Sequence, residues 1–119
     1  MYQEDWLMKQ IRYTILFITR LLFEKDSVAY KIRDIDLQTE TDILYLRINN
    51  LVDDGLVNEA ENLLFDSLDA DDSNHLLLAL DFYTRLNEMS DDELEESGFS
   101  REEIESGLNE IKELFGVPV

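Results

Sequence analysis

From Leu7 to Phe115 the apolar residues of this chain return every three or four positions, the period of an α-helix. That rhythm leaves little room for any other architecture. Leu7, Ile11, Ile15, Ile18 and Leu22 fall on one face of a helix predicted over residues 3–24. Trp6, Tyr13, Phe17 and Leu21 make a second apolar strip beside it, and Leu16 and Phe23 lie on yet another side. By its end this helix is apolar over most of its circumference. Such a helix is either central in its own fold or shared with a second copy, in which case Phe17 and Leu21 are the candidate positions of a homodimer seam. Residues 27–37 interrupt the rhythm, because Val28, Tyr30 and Ile32 alternate as in a strand. No second convincing strand follows to pair with it. An extended connector or a short helical turn is expected there, dropping Tyr30, Ile32 and Ile35 onto the core.

The punctuation between periodic stretches is helical too. Thr39-Glu40-Thr41-Asp42 reads as a helix start, with a hydroxyl to accept a free backbone N–H and acids to suit the positive end of the dipole. Leu44, Ile48, Leu51 and Val52 then share a face up to Gly55, a residue suited to the left-handed turn after a helix. A helix over 57–68 offers Ala60, Leu63, Leu64, Phe65 and Leu68 for packing. After a break at 69–74, a fourth helix over 74–88 aligns Leu76, Leu80, Tyr83 and Leu86, with Leu78, Phe82 and Met89 beside them. Ser90 with Glu93, and Ser100 with Glu103, have the spacing of capping boxes. Between them lies a short helix over 91–97 that stops at Gly98. The last helix, 101–115, aligns Ile104, Leu108, Ile111 and Phe115 and stops at Gly116 with Pro118 beyond. Gly107 inside it costs about 1 kcal/mol against alanine, so it marks a close helix contact. The expected fold is all-α: five to six helices in antiparallel hairpins, a single helical domain over 1–119, with a long N-terminal helix (1–25) and a helical-hairpin region (39–119).

Residues 44–68 resemble a tetratricopeptide unit, two antiparallel helices packed through small residues. With Gly55 at the inter-helix glycine, Leu44 and Leu51 fall on large apolar sites, and Ala60, Leu64 and Ser67 on small, large and small ones. Ile48, Arg47 and Asp72 depart from the pattern, and a shift of about 34 residues finds no second copy. The resemblance implies one tetratricopeptide-like central hairpin rather than an array. Over most of the chain, the segments YQEDWLMKQI, DDGLVNEAENLLFDSLD and ALDFYTRLNEMSDDELEESGFSREEIESGL together resemble a family of small, acidic, uncharacterised bacterial proteins. That resemblance implies a bacterial, cytosolic protein and brings no activity, cofactor or catalytic residue.

Charge narrows the partners. Residues 1–50 hold eight acids and seven bases and sum to −1, whereas residues 51–119 hold 20 acids and three bases and sum to −17. Phosphates are repelled by the second half, so direct binding to nucleic acid or to an anionic membrane is not expected, and a basic protein is the favoured partner. The absence of cysteine removes disulfides and thiol chemistry and fits the cytoplasm. Glu4 and Asp5 stand where a signal peptide would want positive charge. No run approaches the roughly 18 apolar residues of a membrane span.

Catalytic constellations are not found in the sequence. His75, the single histidine, reads as a surface residue at a helix start, with no activated nucleophile to pair with. A calcium loop beginning at Asp69 would want glycine where Asn74 stands and a glutamate where Leu80 stands. No phosphate-binding glycine motif occurs. The run DDELEE reads as a solvated helix face, and Asp91, Asp92, Glu95 and Glu96 are its candidate partner-binding residues. The expected function is a non-enzymatic, cofactor-free, helical protein–protein interaction module with an acidic face. The alternative is an acidic mimic of nucleic acid that occupies a DNA- or RNA-binding protein. Self-repulsion in the acidic half is screened by salt. The melting temperature is therefore expected to rise from low to moderate NaCl; a flat or falling value would mean that the acids are well separated or paired.

Overall fold

The computed structural model describes residues 2–23 and 40–117, with side chains over 6–21 and 40–117. Within them lie six helices and no strand: α1 (Tyr2–Phe23), α2 (Glu40–Asp53), α3 (Val57–Ser67), α4 (Ser73–Glu88), α5 (Asp91–Glu96) and α6 (Arg101–Leu114). The all-α architecture matches the periodicity, and the helix bounds agree to within a residue or two. The connector expected over 27–37 and the threonine of the predicted start at Thr39 lie outside the described residues.

α2, α5 and α6 each stop at a glycine. Gly55, Gly98 and Gly116 all take the left-handed conformation, with φ of 78°, 70° and 64°, where a side chain would be strained. Both capping boxes form: Ser90 Oγ accepts from the Glu93 N–H at 3.1 Å and Ser100 Oγ from the Glu103 N–H at 3.2 Å, while the two glutamates accept in return from the serine N–H groups. α4 begins one residue earlier than the periodicity indicates, because the Asp72 carboxylate caps it by accepting from the Asn74 N–H at 2.9 Å.

α1, α4 and α6 pack on one another, and the α2–α3 hairpin joins them through α2 and α4. The predicted core positions Leu7, Ile11, Ile15 and Ile18 of α1, Leu44, Ile48 and Val52 of α2, and Ala60 and Leu64 of α3 are buried. So are Leu76, Leu80, Tyr83 and Leu86 of α4 and Ile104, Leu108 and Ile111 of α6. Thr19, also buried, returns its hydroxyl to the Ile15 carbonyl at 2.7 Å, so a polar residue in the apolar face leaves no orphan group. α1 is not enclosed all round. Its second strip, Trp6, Tyr13, Phe17 and Leu21, faces outward.

One buried cation ties the three central helices together at one end. Arg101, only 6% exposed, stands in the first turn of α6. Its Nη1 donates to the Asn87 carbonyl (2.9 Å) and the Asn87 side-chain oxygen (3.2 Å). Its Nη2 donates to the Met89 carbonyl (2.7 Å) and Asp91 Oδ1 (3.0 Å), and Nε to Asp91 Oδ1 (3.2 Å). The carbonyls are those that the end of α4 leaves without helical partners. Asn87, buried as well, donates from Nδ2 to the Met8 carbonyl of α1 at 3.0 Å. α6, α4 and α1 are thus joined through one guanidinium and one amide. Arg101→Met is expected to destabilise the fold by about 1–3 kcal/mol for each buried carbonyl acceptor it leaves unsatisfied, and Arg101→Lys to recover only part, since an ammonium lacks the planar fork. Urea unfolding measures both; a loss below about 1 kcal/mol would mean that water takes over the acceptors.

Candidate functional site

The acids predicted to meet a partner lie on α5, a helix just long enough to bury Leu94 and turn everything else outward. Asp92, Glu95 and Glu96 are exposed. Asp91 is exposed over 55% of its side chain, yet its carboxylate is bound to Arg101 and belongs partly to the fold. Glu93 between them is committed to the capping box, and hydrogen bonds from the Ser90 backbone and hydroxyl hold its carboxyl below the usual range. Exposed acids also stand on α3 (Glu59, Asp66) and on α6 (Glu102, Glu103, Glu105, Glu110, Glu113).

The bases of residues 51–119 do little to neutralise this surface. Arg101 is buried with its donors engaged. Arg85 reaches back to α2, donating to Asn49 Oδ1 at 2.9 Å and pairing with Asp53. Lys112 is half-buried beside a narrow polar groove between α1 and α6, lined also by Gln10, Thr14, Glu105 and Asn109.

A second feature lies where the sequence marks a close helix contact, although the sequence does not give its partner. Gly107 of α6 lies against the ring of Tyr83 on α4, so close that a Cβ there would fall 2.0 Å from the phenol oxygen. The contact predicted from a glycine inside a helix is therefore real, and its occupant is Tyr83. The hydroxyl of Tyr83 emerges at the seam and donates to Glu61 Oε2 of α3 at 2.6 Å. Burial raises the Glu61 carboxyl above the usual range; the Tyr83 hydrogen bond opposes this, and the nearby Glu103 and Glu110 add to it. Burial and the Glu61 partner push the phenol far upward, so it remains a donor. Glu61 of α3 thus pairs with Tyr83 of α4 within reach of the charges of Glu103 and Glu110 on α6. The pairing joins positions 22 residues apart; its sequence signals were Gly107 and a tyrosine in an otherwise aliphatic face. Arg101 had a signal as well, a cation in the first turn of a helix, where the dipole disfavours it.

His75 acts on the loop before α4. Its Nδ1 accepts from the Asp69 N–H at 2.8 Å, while Asp69 Oδ1 accepts from the Asp71 N–H at 2.9 Å. With Asp72 capping α4, these side chains organise their own backbone. Among the described residues no group of three or more histidines, cysteines or acids is placed to hold a metal ion. No described helix is long and apolar enough to cross a membrane.

Phe17 and Leu21 lie together on the outer face of α1. They are 55% and 46% exposed, in line with Tyr13 at 59% and Trp6 at 61%. Tyr13, Leu16, Phe17, Arg20 and Leu21 border an open apolar groove of about 580 Å³.

The chain belongs to a family of unknown function, DUF6483, whose model matches residues 1–116. No curated protein and no solved structure matches it.

The raised Glu61 carboxyl has a consequence for stability. Between the ordinary glutamate value and the higher folded one, the folded chain binds more protons than the unfolded chain, so stability falls as pH rises through that window. Glu61→Gln keeps an acceptor for Tyr83 and removes the ionisation. At about pH 7.5 the variant is expected to melt no lower than the parent, and its advantage to shrink by about pH 5. Thermal melts at the two pH values decide it; an advantage that grows on acidification would mean that the ionised carboxylate stabilises the fold.

Proposed function

We propose that this member of the family is a non-enzymatic helical protein–protein interaction module whose acidic face, built from α5 and the outer sides of α3 and α6, meets a basic protein. The observation that carries the reading is the fate of the bases. Arg101 is spent on Asp91 and Arg85 on Asp53, so neither is left for the remaining exposed acids. A field of one sign over a folded surface attracts a partner of the other sign and speeds their encounter. In the same reading the α2–α3 hairpin is a tetratricopeptide-like scaffold behind that face, and the protein works in the bacterial cytoplasm.

Capture from the native host's lysate on tagged protein, washed at low and then high salt, tests the proposal. A defined basic protein should elute with salt, and Asp92→Asn, Glu95→Gln and Glu96→Gln together should reduce its capture several-fold. No protein captured at low salt would sink the reading. If the captured protein binds nucleic acid and duplex DNA displaces it, the acidic mimic replaces the general module, since mimicry needs carboxylates spaced like phosphates.

A further inference from the structure

We propose that the outer strip of α1 is a homodimer interface, in which two copies pair α1 against α1, antiparallel, about a two-fold axis near Tyr13. This inference does not depend on the acidic face having a partner. Trp6, Tyr13, Phe17 and Leu21 follow one side of α1 for most of its length, each about half exposed. A large side chain buries on the order of 150–250 Å² when fully covered, so the strip leaves roughly 400 Å² of apolar surface open per copy. A single copy can carry a patch of that size, so area alone does not identify the occupant. Face to face, two strips and the stems flanking them approach the roughly 1,000 Å² that a specific interface needs.

Charge identifies the occupant. α1 holds Lys9, Arg12 and Arg20 against Glu4 and Asp5, a net +1 in a chain of −18. Two copies approaching through their acidic faces repel most strongly; among the described helices α1, with its slight positive excess, adds least to that repulsion. A basic partner would be drawn to the acids instead of to this strip. A two-fold axis makes the contact self-complementary. The antiparallel sense follows from the same charges. A parallel pair sets Lys9 on Lys9, whereas an antiparallel pair centred near Tyr13 sets Lys9 across from Phe17. There cation–π attraction replaces repulsion, and the helix dipoles oppose.

The test is light scattering of the full chain from about 10 to about 200 µM, at low and moderate NaCl. The expected mass is twice the 14.0 kDa of one chain. Salt should tighten the dimer several-fold, because it screens the repulsion between two acidic bodies. Trp6 is the sole tryptophan, so its emission should shift to the blue as dimer forms. Phe17→Glu and, separately, Tyr13→Glu should give a chain of 14.0 kDa with the parent's helical circular dichroism, both positions being exposed. A parent of single-chain mass throughout, or a dimer that survives both substitutions, would overturn the proposal; the first of these holds whether or not a variant folds.

Discussion

The bundle depends on the guanidinium of Arg101. A cation in the first turn of a helix works against the dipole, and a buried cation without partners is costly. Both costs are offset by the same neighbours: two carbonyls at the end of α4 and the carboxylate of Asp91. With that end of α6 held to α4, and α4 held to α1 through Asn87 and Met8, the helices are placed in register. Tyr83, one turn back from Asn87, then meets α6 where only a glycine leaves room. Its hydroxyl emerges beside Glu61 of α3 and donates to it.

The charges are divided by the same packing. Cations of the second half are used inside the molecule or against α2, and acids of that half are left facing water. Among the described residues, the second half presents a surface that repels its own kind, and α1 adds least to that repulsion. An apolar strip with a slightly positive surround and an acidic surface elsewhere are two different docking chemistries on one small chain, and they need not compete.

Much of the fold could be read from local patterns. Capping boxes at Ser90 and Ser100 need only residues three apart, and the glycine stops need only a turn, so neighbouring residues specify them. Apolar periodicity identified Ile11, Ile18, Ile48, Leu64, Leu80 and Ile111 as core, because a helix has one inward face whatever it packs on. The candidate site was read less well. Asp91 looked like any other acid of its helix, yet it serves the fold through Arg101, ten residues away. Nothing in the sequence sets Glu61 apart, and only the packing of α4 brings Tyr83 against it.

What the sequence determined alone was the class of the fold, the places where helices begin and end, and the uneven charge. All of these are set by interactions within a few residues or by composition. What only the tertiary structure decided was which polar groups became internal: Arg101, Asn87 and the Glu61–Tyr83 pair. It also decided which apolar strip of α1 stayed outside. Both depend on which helix faces which, and burial, the strongest influence on a charged or aromatic side chain, is a property of that arrangement rather than of the residue.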